Sequence, residues 1–266
     1  MTSDMDSKYL SRVDAHALVF GGSGGIGREV VRALVAYGAR AVTFTYGRNR
    51  KAAEELAQEL AGRGIRTYFQ SIEVPMRDAD IPRLAKFLDD AVAAVGQEIS
   101  VVVNTVGVSP NVPLVEQTID DPETGWRRVL EVNTIGGFFA ARTAAERMKL
   151  KGIRGAIVLL TSDNATLSWS PVSAHYDASK AALEHTVRHL AYSYRPDIRV
   201  LGIAPGWVDT PLNATLPEDE RRDVLGRIWL KRFAEPAEIA KVVGFFAGTG
   251  GSFATGTTIV VNGGYR

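Results

Sequence analysis

The strongest constraint on this chain is a rhythm. From residue 16 onward, short apolar runs of strand length alternate with longer stretches of helical character. The runs fall at 16–21, 41–46, 65–74, 99–107, 155–162, 198–206 and 256–264, and the helical stretches at 28–37, 50–64, 81–95, 123–151, 174–195 and 236–248. Runs such as "HALVF" and "AIVLL" are apolar throughout rather than at every second residue. A strand of that kind must be covered on both faces, and helical crossovers between strands allow parallel pairing. The pattern predicts an α/β fold: one parallel sheet of about seven strands, helices on both faces, and right-handed crossovers. No linker or repeat interrupts it. A single domain is therefore expected over 13–266, preceded by a flexible tail at 1–12. The stretch 207–235 mixes Pro, Asn and charged residues without a clear period, and irregular loops of that length usually carry function. It is expected to be a substrate lid, with "GVSPNVPL" (107–114) opposite.

Composition removes several classes of function. The 31 basic and 30 acidic residues leave a net charge of +1, which gives no electrostatic footprint for nucleic acid or an anionic membrane. There is no cysteine among the 266 residues, so disulfides and thiolate metal sites are excluded. No apolar run is long enough to span a bilayer, and the polar first dozen residues lack the core of a signal peptide. A cytoplasmic location is expected.

The first strand runs directly into "FGGSGGIG" (20–27), followed by a helix. A turn without side chains lets backbone approach a pyrophosphate, and the helix N-terminus supplies free N–H groups and the positive end of its dipole. This is the logic of a dinucleotide site, although such glycines also serve close strand–helix packing. NAD-binding units place an Asp or Glu about 20 residues on, to hold the ribose 2′-hydroxyl. Here Tyr46, Gly47, Arg48, Asn49 and Arg50 stand there, and no carboxylate appears before Glu54. A 2′-phosphate would meet a guanidinium, so NADP(H) is favoured over NAD(H), with Arg48 the first contact and Arg50 the second.

"HYDASKAAL" (175–183) places Tyr176 and Lys180 four apart in a helical stretch, hence on one face. An ammonium beside a phenol lowers the phenol's pKa from its usual value near 10. A tuned phenol can pass a proton to or from a ketone oxygen. His175 lies about 100° around the helix and is expected at the surface or an interface. His185 and His189 lack the surroundings of a metal site, and no metal is expected. Asp163 either orients substrate or serves a turn. Trp126 and Trp229 are expected to be packing residues, with Trp207 and Trp229 near an apolar pocket.

With both motifs in this order, the chain resembles the short-chain dehydrogenase/reductase family from about residue 14 to the end, and within it the 3-oxoacyl-(acyl carrier protein) reductases and their relatives. The resemblance implies a Rossmann-type doubly wound sheet and a catalytic group of Asn133, Ser162, Tyr176 and Lys180. "YDASK" carries the last two; Ser162 in "LLTSDN" stands 14 residues before the tyrosine, with Thr161 the weaker candidate. It assigns Ser162 to orienting the carbonyl and Asn133, in "LEVNTIGGF", to holding a water of the proton path. It further implies cofactor contacts from Gly21, Ser23, Gly24, Gly25, Ile26 and Gly27 in the turn. Tyr46, Arg48 and Asn49 follow at the ribose, Glu73 and Val74 at the adenine, Asn104 and Gly107 behind the cofactor, and Pro205, Gly206, Val208 and Thr210 near the nicotinamide. Tyr176 and Lys180 also face it. Departures are Phe20 in place of threonine, "NTVG" (104–107) where N-N-A-G is common, and Leu201 where Asn often stands. The expected activity is NADP(H)-dependent hydride transfer between nicotinamide and a ketone or secondary alcohol. A small-molecule substrate and a homo-oligomer, tetramer or dimer, are expected partners. A non-catalytic dinucleotide sensor and a non-redox lyase or epimerase are the rival readings.

Overall fold

The computed structural model describes residues 11–74, 77–167, 170–214 and 216–266. Among these, seven strands form one sheet: β1 (His16–Phe20), β2 (Ala41–Tyr46), β3 (Arg66–Ser71), β4 (Ile99–Asn104), β5 (Gly155–Leu160), β6 (Ile198–Pro205) and β7 (Thr257–Val261). Their order is β3-β2-β1-β4-β5-β6-β7, and every pairing is parallel.

The helices divide between the faces. α1 (Gly25–Ala36), α2 (Arg50–Gly62) and α8 (Pro236–Ala247) cover one side, where Val31, Leu56 and Val243 meet Ala17 and Val19 of β1. α3 (Ile81–Val95), the long α4 (126–150) and α6 (Ala174–Tyr194) cover the other, where Phe87, Met148 and Leu183 meet Leu18 and Phe20. Successive residues of β1 thus feed two different cores, which is why the strand is apolar at every position after His16. The order reverses direction between β1 and β4. A crevice opens there at the carboxyl ends of the strands, the place where open α/β sheets bind ligands.

Several elements differ from the sequence expectation. α1 starts at Gly25 rather than residue 28, so the last two glycines of the turn lie inside its first turn. β3 stops at Ser71 and β4 at Asn104, leaving Glu73, Val74 and Gly107 beyond the sheet. As an edge strand, β3 is half-exposed rather than apolar throughout. α4 begins at Trp126, because residues 121–125 are wound around Asp121, whose Oδ1 accepts from the backbone of Thr124 and Glu123. α4 is also not continuous: Trp126–Leu130 and Gly137–Leu150 flank one π-helical turn, Glu131–Gly136.

The stretch 207–235 is less irregular than expected. It holds α7 (Glu218–Arg227), with Glu218, Asp219 and Glu220 at the positive end of its dipole and Arg227 at the negative end. Val224 and Ile228 anchor it in a small separate core with Phe233, Trp207 and Tyr265. A four-residue helix, α5 (Asn164–Leu167), follows Asp163. Of the tail expected at 1–12, residues 1–10 lie outside the described residues; Ser11 and Arg12 hydrogen-bond to Phe245 and Thr249.

Candidate active site

The crevice holds a cavity of about 620 Å³. Its floor is the carboxyl end of the sheet; one wall is the segment after β4, the other the start of α6, and α7 closes the top. The glycine turn shapes one end. Gly21 has φ +77°, a left-handed conformation suited to glycine, and a Cβ on Gly27 would lie 2.1 Å from the carbonyl oxygen of Gly21. Gly24 caps α1 without any side-chain hydrogen bond, so the first amides of Gly25, Ile26 and Gly27 are presented bare. A Cβ on Gly25 would meet Thr210 at 3.2 Å, which brings the turn against the segment after β6. Ser23 is half-buried, and Ile26 faces the cavity. This cradle of backbone fits a pyrophosphate.

Beyond β2, Tyr46 packs near Phe69, and Arg48 is exposed with no side-chain partner among the described residues. Asn49 is occupied as the cap of α2, accepting from Ala52 N at 3.0 Å, and Arg50 is paired with Glu54 at 2.7 Å. Of the two arginines, Arg48 is therefore the free one. Glu73 and Val74 line a separate cavity of about 260 Å³ beside the crevice. Asn104 is buried and turned onto the backbone, its Oδ1 accepting from Val106 N at 3.1 Å. Pro205, Gly206, Val208 and Thr210 all line the main cavity.

The four residues of the expected catalytic group come together. Ser162 and Tyr176 line the same stretch of the cavity wall, and Ser162 acts on the phenol in the sense that favours its ionised form. Lys180, 4% exposed, lies with Nζ 5.8 Å from the Tyr176 ring centroid and donates to Leu160 O at 2.9 Å. A Cβ on Gly107 would be 3.3 Å from Lys180 Nζ and 3.4 Å from Asn133 Oδ1, so these side chains share one corner. Asn133, in the π-helical turn, is fully buried. Its Oδ1 accepts from Val108 N at 2.8 Å, and its Nδ2 donates to Val108 O at 2.8 Å and to Ser179 Oγ at 2.9 Å. Both donors of the side chain are thus committed to protein partners. The amide ties the wall after β4 to α6, a positioning task.

The electrostatics also differ from expectation. Burial pushes the Tyr176 phenol up to about 12, opposed by the hydrogen bond from Ser162. Burial likewise pushes Lys180 down to about 8. Desolvation, not the lysine, dominates the phenol.

Other expectations need correction. His175 is fully buried rather than at a surface: its ring lies 6.1 Å from that of Trp126, and its Nδ1 accepts from Tyr176 N. Trp229, expected as a packing residue near an apolar pocket, packs at the surface instead of lining the cavity: it is 62% exposed, with Arg266 stacked on its ring. Trp207 does line the cavity, stacked on Phe233. Among the described residues no group of His, Asp and Glu is arranged to hold a metal. The segment expected as a lid, 207–235, does line the cavity, but sequence reasoning missed that α7 within it presents carboxylates there, and it missed Tyr265. It left Asp163 open; the structure puts it in the cavity wall at 3% exposure.

A parallel sheet with a backbone cradle at its switch point and a Ser–Tyr–Lys group beside it defines a nicotinamide-dependent oxidoreductase. The family model described as enoyl-(acyl carrier protein) reductase matches residues 21–266. Galactitol 2-dehydrogenase (L-tagatose-forming) of Cereibacter sphaeroides is 34% identical, over 98% of this chain and 99% of that one. Cis-4-hydroxycyclohexanecarboxylate dehydrogenase of Sinomonas cyclohexanicum is 33% identical, over the same shares. The crystal structure of 3-oxoacyl-[acyl-carrier protein] reductase from Brucella melitensis superposes with a TM-score of 0.83 at 30% identity, covering 100% of this chain and 96% of that one. The chain belongs to the short-chain dehydrogenase/reductase family. It is an oxidoreductase of alcohol and carbonyl groups. No helix among the described residues is long and apolar enough to cross a membrane.

Proposed function

We propose that the protein is an NADP(H)-dependent carbonyl reductase in which Tyr176 is the proton donor. The observation that carries this reading is the convergence of Ser162, Tyr176 and Lys180 on the cavity wall, with Lys180 Nζ 5.8 Å from the Tyr176 ring centroid. When bound, the reduced nicotinamide supplies a hydride to the carbonyl carbon. The C=O π electrons move onto oxygen as Tyr176 Oη gives that oxygen its proton, and the product is the alcohol. Ser162 holds the carbonyl oxygen in place; Lys180 replenishes the charge balance and faces the cofactor ribose. Asn133 fixes the distance between the wall after β4 and α6. A phenol pushed up to about 12 is protonated at neutral pH, the form that can donate to a carbonyl oxygen.

The bare amides of 25–27 and the close approaches at Gly21 and Gly27 support the pyrophosphate contact. The 2′-phosphate is assigned to Arg48, which unlike Arg50 has no carboxylate partner. Glu73 and Val74 flank the adenine, and Thr210 and Val208 the nicotinamide. A homo-oligomer belongs to the same reading, since Val260 on the sheet's edge strand β7 and Phe245 and Phe253 around it in the chain are exposed.

The test is Tyr176→Phe. The ring is retained and only the hydroxyl is lost, so the variant is expected to fold and to bind NADPH as the parent does. Its turnover of ketones is expected to fall about 10²–10⁴-fold or more, the range of general acid catalysis. Turnover within tenfold of the parent would remove Tyr176 as the donor.

A further inference from the structure

Asp163 is the unusual group in this cavity. It follows Ser162 directly and lines the cavity, yet is 97% buried by the measure of its 3% exposure. Its one side-chain partner among the described residues is Asn262, whose Nδ2 donates at 3.3 Å, helped by backbone amides of Asn164 and of Asp163 itself. Its charge reaches the Tyr176 phenol and favours the protonated form. A buried carboxylate is costly unless its lone pairs find donors. A carboxylate has about four acceptor positions, so these donors leave capacity on the cavity wall next to Ser162.

The rest of the cavity carries a consistent charge. Asp219, Glu220 and Asp223 share the face of α7 that looks into it. Arg227 is on that face too but is paired with Asp223 at 2.9 Å. No cation partners Asp219 or Glu220 among the described residues. The facing wall offers neutral hydrogen-bonding groups, such as Ser109, Asn111 and Ser173. Lys180, the other cation, is held beneath the phenol on Leu160 O.

We propose that Asp163 accepts a hydrogen bond from a second hydroxyl, on the carbon next to the reacting one, and that the substrates are neutral polyhydroxylated ketones and their polyols. The acidic face of α7 rejects carboxylate- and phosphate-bearing ketones, carrier-bound acyl groups with their phosphodiester arm included. This rests on the reductase reading above and adds the substrate class to it.

Initial rates of NADPH oxidation are to be measured with three four-carbon probes, butan-2-one, 1-hydroxybutan-2-one and acetoacetate, and with a ketohexose. The parent is expected to prefer 1-hydroxybutan-2-one over butan-2-one by about 100-fold in kcat/KM, since a site built to bond a hydroxyl discriminates strongly against its absence. Acetoacetate is expected to be the poorest probe. In Asp163→Ala the hydroxyl preference should collapse to within threefold. The isosteric Asp163→Asn, which keeps the wall's shape, should lower it at least tenfold. In Asp219→Asn/Glu220→Gln the ratio of acetoacetate to hydroxyketone efficiency should rise about tenfold, and its dependence on ionic strength should flatten. Equal efficiency for the first two probes in the parent, or a preference that survives both Asp163 variants, overturns the inference while leaving the reductase reading intact. Oxidation of NADPH by none of the probes overturns both.

Discussion

A carboxyl kept in a cavity wall for its chemistry should cost the fold something, and at Asp163 the cost can be worked out. Burial raises its pKa from 3.8 to about 6, with hydrogen bonds from Asn262 and backbone amides opposing. The folded value lies above the unfolded one. The folded state therefore binds the proton more tightly, and the side chain is without penalty only below pH 3.8, where both states are protonated. As pH rises toward 6 the unfolded chain ionises first, and stability is lost at about 1.4 kcal/mol for each pH unit. Above 6 the loss is complete and constant, at about 3 kcal/mol by this reckoning. Asp163→Asn keeps the shape, retains an acceptor for Asn262 and carries no charge. Urea denaturation of parent and variant at one protein concentration, from pH 4 to pH 8, should give equal stabilities near pH 4. The variant should gain steadily up to pH 6 and hold an advantage of about 3 kcal/mol at pH 7 and 8. A difference that does not change with pH, or a parent more stable than the variant at pH 7, would refute the assignment of Asp163 as a desolvated acid. With the loss of hydroxyl selectivity expected of the same variant, the gain would mark a residue kept for function against stability.

Two further substitutions test the cofactor end. Arg48→Ala should reduce the preference for NADPH over NADH about 10–100-fold, the equivalent of one charge-assisted hydrogen bond, read as the ratio of kcat/KM for the two cofactors. Gly27→Ala sets a Cβ 2.1 Å from the backbone oxygen of Gly21, so the turn itself must move. It should lower stability by about 1–3 kcal/mol and weaken NADPH binding more than tenfold, measured by thermal melting and by fluorescence titration.

The sheet was readable because both of its faces are covered: a strand feeding two cores announces itself by being apolar at every position. The same argument fails for β3, an edge strand with half-exposed positions, whose end was placed three residues late. The glycine turn and the Tyr176–Lys180 spacing were readable because each depends on local backbone geometry. α7 was not. It is polar on nearly every face and holds to the fold through Val224 and the adjoining Ile228, too few apolar positions to mark a helical period. The π-helical turn at Asn133 was hidden for a different reason: one extra residue in a turn shifts the apolar period too little to be read, yet it is this turn that holds the Asn133 amide against Val108 and Ser179. The burial of His175 and Asp163 depends on partners more than 10 residues away in the chain, Trp126 and Asn262 among them.

One physical expectation concerns the proton itself. Sequence spacing suggested a phenol made more acidic by an ammonium. In the structure Lys180 Nζ lies 5.8 Å from the Tyr176 ring centroid, and desolvation is the largest influence, raising the phenol to about 12. The phenol is therefore protonated at neutral pH. Lys180, pushed down to about 8 by the same burial, still carries its proton at pH 7. At pH 7 the pair is thus a neutral acid backed by a cation, the form that meets an oxygen gaining negative charge. Carbonyl reduction uses that form directly, whereas alcohol oxidation must first remove a proton held more than two pH units above neutrality. The lysine's contribution is best seen as a cation held beside the phenol that offsets the negative charge left on it once its proton has been given to the carbonyl oxygen.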